Sequence, residues 1–225
     1  MENQNIFKDS ISENNGIKLI RKKDKNILSV GISTGGSAEI RMIKKNESSH
    51  VVATTIDNEG LEFTKKIINQ LGFNDRIEIK SEDVSKKLPY EDGYFDFIYA
   101  RLVLHYLNNY KLKNTLTELK RILKKDGILY IVVRSKNDWE AKLNGTTCDE
   151  ITGMTSYPDY RKIGTESVRY ISRRLHTQES LKTFLEDTGF KIKYMKEYNE
   201  QLYHDYMRTE KVIKSATVIE TCVSI

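Results

Sequence analysis

Proline, cysteine and long hydrophobic runs are all scarce in this sequence. Its 225 residues include 2 prolines, which argues against long disordered linkers. The 2 cysteines, Cys148 and Cys222, lie far apart, so we expect reduced thiols and no disulfide framework. No apolar run approaches the roughly 20 residues that span a bilayer, and the polar start MENQNIFKDS does not resemble a signal peptide. The sequence therefore predicts a cytoplasmic protein with no membrane partner.

The overall composition is typical of one globular domain. With 38% hydrophobic and 31% charged residues, a chain of this length can bury a core without disulfides or a metal. The net charge of +5 comes from scattered lysines and not from one basic stripe, so nucleic acid is a less favoured partner than a small molecule. The histidines and cysteines show no metal-ligand spacing, and we expect no metal site. The oligomeric state is left open.

Short apolar segments alternate with amphipathic ones, which is the pattern of βαβ units. The predicted strands are Asn26 to Gly31, His50 to Asp57, Arg76 to Lys80, Tyr94 to Ala100, Ile128 to Val133, Phe190 to Tyr203 and Ala216 to Ile225. The last two are expected to pair as a hairpin at the sheet edge. The expected fold class is therefore α/β, with a mostly parallel sheet.

Helical spacing and helix ends mark the intervening segments. One helix is predicted from Ser37 to Lys45, and another is predicted with its N-cap at Thr177 and its end at Gly189,. Two further helices are predicted from apolar side chains that share one face, namely Leu61, Ile68 and Leu71 in one and Leu112, Leu116, Leu119 and Leu123 in the other,.

The two remaining regions are less regular. Residues 1–25 are interpreted as an N-terminal extension, partly helical, ahead of a domain spanning 26–225. Residues 134–176 have no clear period and are too long for a simple connection, so we interpret them as a lid or substrate segment.

The first predicted strand ends at Gly31 and leads into Ser33-Thr34-Gly35-Gly36, a small-residue turn before a helix. Small residues let the backbone approach a ligand closely, and the N–H groups at a helix start favour a polar or anionic group. The turn is not a P-loop, because the lysine and hydroxyl of GxxxxGK[ST] are missing. It is the first candidate cofactor site.

Side chains at three later strand ends suit the same ligand, because ligands bind at the carboxyl ends of parallel strands. Asp57 can accept hydrogen bonds from a ribose diol, and Asp83 with Val84 can hold an adenine amine and ring edge,. Ala100 and Arg101 are candidates for the near wall. Each acid taken alone could equally cap a helix or a turn.

These segments together resemble the class I S-adenosylmethionine (SAM) dependent methyltransferases. ILSVGISTGG at 27–36 is similar to that family's glycine-rich first motif, and RIEIKSEDVSKKLPYEDGYFDFIYARLVLHYL at 76–107 is similar to its adenine-contacting stretch and fourth strand. LKRILKKDGILYIVV at 119–133 resembles the family's next helix, glycine turn and strand. LHTQESLKTFLEDTGFKIKY at 175–194 resembles the family's helix ahead of the last strand pair. The resemblance runs from about residue 26 to 225 and is poor over 134–174.

The resemblance implies a Rossmann-like fold with a seven-stranded sheet, an antiparallel last strand, helices on both faces, and SAM as the cofactor. Ser29 stands where the family usually has an acid, and Ser33 replaces the second glycine. Either Asp57 or Thr55 occupies the ribose position. The implied cofactor-binding residues are Ser29, Gly31, Ser33, Gly35, Asp57, Asp83, Val84 and Ala100.

Transfer of the sulfonium methyl group of SAM mainly requires that the protein align the acceptor nucleophile with that methyl group. Where the acceptor must lose a proton, His105 beside the fourth strand is the predicted catalytic base, with a packing role as the alternative. The residues predicted to line a substrate pocket are Arg101, Tyr106, Arg134, Trp139, Tyr157 and Tyr160.

Functions of several classes fit this resemblance. The preferred one is an enzyme that methylates a small molecule, with residues 134–176 closing over it. A methyltransferase acting on RNA or protein is the second, and a SAM-binding protein without catalysis is the third, which Ser29 and Ser33 favour. An NAD-dependent Rossmann enzyme is a further alternative, although GISTGG does not supply GxGxxG,.

Overall fold

A computed structural model describes residues 10–32, 34–159, 169–203 and 214–225 of the chain. The strands are β1 (Asn26–Val30), β2 (His50–Thr55), β3 (Ile77–Ser81), β4 (Phe95–Arg101), β5 (Leu123–Arg134), β6 (Thr147–Asp149), β7 (Met154–Pro158), β8 (Tyr170–Arg173), β9 (Lys191–Glu200) and β10 (Ala216–Ser224). The α-helices are α1 (Ile11–Lys18), α2 (Ser37–Lys45), α3 (Asn58–Gln70), α4 (Asn109–Ile122) and α5 (Gln178–Asp187).

Seven strands form the main sheet in the order β3-β2-β1-β4-β5-β10-β9. Strands β1 to β5 are parallel to one another, and β10 is antiparallel to both β5 and β9. The predicted α/β sheet with an antiparallel last strand and a terminal hairpin is confirmed. The chain moves outward from β1 through β2 to β3 and then returns to β4 on the other side of β1, so a crevice opens between the ends of β1 and β4.

Alternating side chains place apolar groups on both faces of this sheet. Leu28 and Val30 of β1 belong to the core beneath α4 and α5, whereas Ile27 belongs to the core beneath α1, α2 and α3. A strand covered on both faces is apolar at successive positions and not only at alternate ones. Helices on both faces, as expected, are confirmed.

Several helix ends follow directly from the sequence. The predicted helix from Ser37 to Lys45 is α2. Thr177 caps α5 in a reciprocal pair with Ser180, in which the Ser180 N–H donates to the Thr177 hydroxyl at 3.0 Å and the Ser180 hydroxyl accepts from the Thr177 N–H at 3.0 Å. The predicted N-cap is confirmed.

Two apolar residues assigned to helix faces lie elsewhere. Leu123 has extended backbone and begins β5, where it pairs with Phe95. Sheet pairing therefore overrides the helical spacing at that position. Leu71 follows the end of α3 and is 49% exposed. Leu71 therefore does not share a buried helix face with Leu61 and Ile68, because the helix has already ended at Gln70.

The amino-terminal helix packs against the main sheet. The Tyr130 hydroxyl donates a hydrogen bond to the Ser12 carbonyl at 2.5 Å, and a Cβ on Gly16 would lie 2.5 Å from the Tyr130 ring. Glycine at this position therefore permits the close contact of α1 with β5. The partly helical start of the chain is observed, and a domain boundary at residue 25 stays a prediction.

Residues 134–176 contain a second, small antiparallel sheet in the order β6-β7-β8. Sequence patterning gave no sign of these strands, since two of them have only three and four residues. Residues 160–168 of this segment lie outside the described part of the chain. The helices in the described ranges include none long and apolar enough to cross a membrane.

Candidate functional site

A cavity of about 460 Å³ opens at the carboxyl ends of β1, β2, β3 and β4. That volume lies within the range of small-molecule binding sites. The described residues that line it are Val30, Gly31, Ile32, Thr54, Thr55, Ile56, Glu82, Asp83, Val84, Tyr99, Arg101, Leu102, Val103, Tyr106 and Leu107. We call it the strand-end cavity. It lies where the strand order reverses, which is the expected position for a ligand.

Gly31 forms the floor of the strand-end cavity. Its φ is +76°, and an added Cβ would lie 3.0 Å from Val103 Cγ2. A side chain here would face both left-handed backbone strain and a crowded contact. Glycine therefore keeps the backbone open to a ligand at the end of β1.

Asp83 and Val84 lie together on the wall that follows β3. Asp83 Oδ1 accepts hydrogen bonds from the Ser85 hydroxyl at 2.7 Å and the Ser85 N–H at 3.0 Å. These bonds, led by that of the hydroxyl, hold the pKa of the Asp83 carboxyl below its usual value,. The carboxylate lines the cavity next to the apolar Val84, and its second oxygen, Oδ2, lies 4.0 Å from Lys86 Nζ.

Asp57 does not line the strand-end cavity. Its Oδ1 accepts from the Glu59 N–H at 3.1 Å and caps α3. Thr55 does line the cavity, and its hydroxyl oxygen accepts from the Asp57 N–H at 3.0 Å. The Thr55 hydroxyl proton remains available to a ligand. Ile56 beside it is 73% exposed, an unusual degree for an isoleucine.

Several residues that the resemblance assigned to the cofactor lie behind the cavity wall. Ser29 is fully buried and donates from Oγ to Glu39 Oε1 at 2.6 Å. Gly35 packs against α3, and a Cβ added to Gly35 would lie 3.0 Å from Ile67 Cδ1. Ala100 is fully buried on the α4 side of the sheet. Ser33 lies outside the described residues, so its predicted role stays a prediction.

The far wall of the strand-end cavity comes from the end of β4. Arg101 donates from Nε to the Ser12 hydroxyl at 2.6 Å and from Nη2 to Glu200 Oε2 at 3.4 Å, which ties β4 to α1 and β9. Leu102 has a φ of +56°, a strained conformation for a leucine. Sequence reasoning included Arg101 but missed Leu102 and the adjoining Tyr99.

A second cavity of about 220 Å³ adjoins the first. The described residues around it are Ser10, Arg101, Leu102, His105, Tyr106, Arg134, Arg173, Gln201, Leu202 and Tyr203. We call it the arginine cavity. Arg101, Leu102 and Tyr106 line both cavities, so the two spaces share one wall.

Buried ion pairs hold the arginines of this second cavity. Arg134 Nη2 lies 3.1 Å from Asp138 Oδ2 and also contacts Glu140. Arg173 Nη1 lies 3.6 Å from Glu140 Oε2 and donates to the Tyr157 hydroxyl at 2.6 Å. These carboxylates compensate for the burial of two guanidinium groups.

The comparisons with known proteins agree with this geometry. Residues 28–131 match the family model described as a methyltransferase domain. A SAM-dependent methyltransferase from Methanosarcina mazei shares the fold with a TM-score of 0.71 at 20% identity, over 92% of this chain and 94% of that chain. Residues 28–131 therefore match a methyltransferase domain, and the chain has the fold of a SAM-dependent methyltransferase.

Two curated relatives match part of the chain. A hybrid PKS-NRPS synthetase, gkaA, from Penicillium citrinum is 32% identical over 115 residues, which are 50% of this chain and 3% of that protein. Sterol 4-C-methyltransferase strm-1 from Caenorhabditis elegans is 28% identical over 125 residues, which are 55% of this chain and 35% of that protein. The chain therefore spans only a small part of the length of the curated relatives it matches.

The strand-end cavity suits SAM, the cofactor after which several of the similar solved structures are named. Gly31 in the cavity lining has a left-handed backbone, and an added Cβ there would crowd Val103. The hydroxyl of Tyr99, on the cavity wall, is buried and has no hydrogen-bond partner among the described residues. A buried polar atom of this kind is expected to meet a polar ligand group. No group of three or more His, Cys, Asp or Glu in the described ranges could hold a metal ion.

His105 lies in the arginine cavity and is 2% exposed. Burial, reinforced by the charges of Arg173 and Arg134, holds the pKa of its imidazole well below the usual value,. Its Nδ1 has no hydrogen-bond partner in the described part of the chain. The imidazole is therefore neutral at pH 7 and a weak base, and its predicted catalytic role stays a prediction.

The predicted substrate-pocket residues do not all lie in one cavity. Arg101, Tyr106 and Arg134 do line the arginine cavity, whereas Trp139 and Tyr157 are absent from its described lining. Tyr160 lies outside the described residues. Sequence reasoning missed Arg173, Ser10 and the residues after β9, because nothing local in those segments indicates that they meet in space.

Proposed function

We propose that this methyltransferase domain transfers a methyl group from SAM to a small molecule. The observation that carries the proposal is the wall shared by the two cavities, formed by Arg101, Leu102 and Tyr106. A donor in the strand-end cavity and an acceptor in the arginine cavity would meet there. Bringing two reactants into line is the main contribution a protein can make to such a transfer.

The chain's own groups suggest how the cofactor is held. Bound SAM supplies an electrophilic methyl on a sulfonium. The Gly31 backbone accommodates its close approach, Asp83 accepts a hydrogen bond from the adenine amine, and Val84 packs on the ring. Thr55 is better placed than Asp57 to hydrogen-bond the ribose, since only Thr55 lines the cavity.

Two features favour a small acceptor over RNA or protein. The arginine cavity is only about 220 Å³, which suits a molecule of few heavy atoms. One relative is by name a sterol 4-C-methyltransferase, so a related domain is associated with a small-molecule acceptor. Residues 134–176 supply Arg134 and Arg173 to the cavity, consistent with a substrate-binding segment.

Titration calorimetry with SAM and its demethylated product S-adenosylhomocysteine (SAH) tests the cofactor site. Asp83→Ala should weaken SAH binding by roughly tenfold, the expected effect of losing a charge-assisted hydrogen bond. Asp75→Ala removes an exposed carboxylate away from the cavity and should leave the affinity unchanged. Failure of the wild-type chain to bind either compound would refute the cofactor site.

Catalysis needs a separate measurement. Cell extract incubated with the protein and SAM labelled in its methyl group should yield a labelled small molecule, detected by mass spectrometry. Labelled RNA or protein without a labelled small molecule would contradict the proposed acceptor class. An absence of any labelled product from SAM-saturated protein would favour SAM binding without catalysis.

A further inference from the structure

The arginine cavity concentrates positive charge on its surface. Arg101, Arg134 and Arg173 line it, and its described lining includes no carboxylate. The acids that balance these arginines, Asp138, Glu140 and Glu200, contact the guanidinium groups from behind the lining. Because the positive ends face the cavity and the negative ends do not, the cavity attracts an anion.

Arg173 keeps unused hydrogen-bonding capacity. Its carboxylate contact, to Glu140, is long at 3.6 Å. Its hydrogen bonds are to neutral hydroxyls, a short one from Nη1 to Tyr157 at 2.6 Å and a long one from Nη2 to Tyr106 at 3.4 Å. A guanidinium held mainly by neutral groups retains most of its attraction for an incoming anion.

Two of the arginines that line the cavity each have a buried nitrogen without a hydrogen-bond partner among the described residues. Arg134 Nε and Arg173 Nε are both buried without a hydrogen-bond acceptor among the described residues. Leaving a buried charged donor unsatisfied is costly, so such atoms are usually matched by a ligand or water. A planar, two-oxygen group is the natural complement of a guanidinium edge.

The rest of the cavity limits the size and charge of the occupant. Its volume is about 220 Å³, and Leu102 and Tyr106 supply apolar surface on the side of the strand-end cavity. His105 is neutral because of its lowered pKa and adds no charge. The space therefore suits a small organic anion with one planar acidic group and a short apolar body.

We infer that the arginine cavity binds a small carboxylate-bearing molecule, with the carboxylate against Arg173 and Arg134 and the remainder directed toward Leu102 and Tyr106. Describing this molecule as the methyl acceptor rests on the proposed function. Binding of the carboxylate itself rests only on the arginines and the cavity.

Benzoate and benzamide are a matched pair of probes, since they have nearly the same shape and differ in charge. Each is titrated by calorimetry into the full chain saturated with SAH. Benzoate should bind, and benzamide should bind at least about tenfold more weakly, as expected for the loss of a charge-assisted contact. Arg173→Gln should weaken benzoate binding by a similar factor and leave benzamide binding unchanged.

Two further variants control for charge and folding. Arg169→Gln removes an exposed arginine away from the cavity and should leave benzoate binding unchanged. Arg173→Lys keeps the positive charge but lacks the planar guanidinium group, so it should retain part of the benzoate affinity. SAH binding, measured on each variant, shows that the fold is intact.

Equal affinity for benzoate and benzamide, or benzoate binding that is insensitive to Arg173→Gln, would overturn the inference. So would the absence of benzoate binding by wild-type protein that binds SAH. If the wild-type chain does not bind SAH, the proposed function is refuted. Binding of benzoate that is stronger than binding of benzamide would still support the carboxylate site in that case.

Discussion

The two adjoining cavities are built in different ways. The strand-end cavity is lined by residues from one continuous part of the chain, 30–107, at successive strand ends. The arginine cavity combines Ser10, the end of β4, Arg134, Arg173 and residues 201–203. The first is therefore a property of the parallel sheet, and the second depends on how distant segments pack around it.

The physical basis of each cavity differs accordingly. The strand-end cavity depends on backbone shape at Gly31, where φ is +76° and an added Cβ would lie 3.0 Å from Val103 Cγ2. The arginine cavity depends on buried charge, with Arg134 at 6% exposure between Asp138 and Glu140. Substitutions in the two regions should therefore have effects of different size and kind.

The largest expected effect is on stability, from Arg134→Gln. Removing this cation leaves Asp138 and Glu140 buried with less compensation, which should lower the free energy of unfolding by about 3–5 kcal/mol. Urea denaturation measures the change. Lys65→Gln breaks an exposed pair with Glu62 and should cost less than about 1 kcal/mol. Equal costs for the two variants would show that buried charge does not hold this region together.

Gly31→Ala should act mainly on the cofactor. Gly31 and Gly72 both have positive φ, but only at Gly31 would a Cβ meet a neighbouring side chain. Both alanine variants should lose about 1–2 kcal/mol of stability from left-handed backbone strain, whereas only Gly31→Ala should weaken SAH binding, by about tenfold or more. Calorimetry and urea denaturation separate the two effects. SAH binding that is weakened equally in Gly72→Ala would contradict the specific role of Gly31.

The pH dependence of stability should arise in the region of the arginine cavity. His176, which joins Ser135 in an isolated bridge, is fully buried, and burial lowers its pKa to about 3. An unfolded histidine takes up a proton near pH 6.5, while the folded His176 stays neutral. Its contribution to stability is therefore complete above about pH 6.5 and is lost progressively as the pH falls toward 3.

His176→Phe tests this dependence. Between about pH 6 and 5, the variant should show a slope of unfolding free energy against pH that is shallower by about 1.4 kcal/mol per pH unit. Denaturation curves at several pH values give the slope. An unchanged slope would mean that His176 does not remain neutral in the folded chain.

The smallest expected effect distinguishes the two ribose candidates. Thr55→Val removes a hydroxyl from the strand-end cavity and should weaken SAH binding by about threefold to tenfold. Asp57→Asn keeps the cap of α3, since asparagine is an equally good N-cap, and should change SAH binding less than about twofold. A larger loss of SAH affinity in Asp57→Asn than in Thr55→Val would assign the ribose contact to Asp57.

Much of the sheet could be predicted because its evidence is local. Short apolar strands, the glycine turn at Gly31 and the cap at Thr177 each depend on residues close in sequence. Leu123 shows the limit of such reasoning, because its helical spacing was overridden by pairing with Phe95. The strands β6 to β8 were missed, since short strands carry too few alternating positions to be distinguished from loops.

The amino-acid sequence by itself determined the order of the main-sheet strands along the chain, the glycine turn at Gly31 and the pair Asp83 and Val84 after β3, since periodicity and turn chemistry are properties of neighbouring residues. Only the tertiary structure decided that Thr55 and not Asp57 lines the cavity, that Ser29 bonds Glu39 behind the wall, and that Arg134 and Arg173 share one space. Side-chain direction at a strand end and contacts between distant segments depend on packing, which no local pattern encodes.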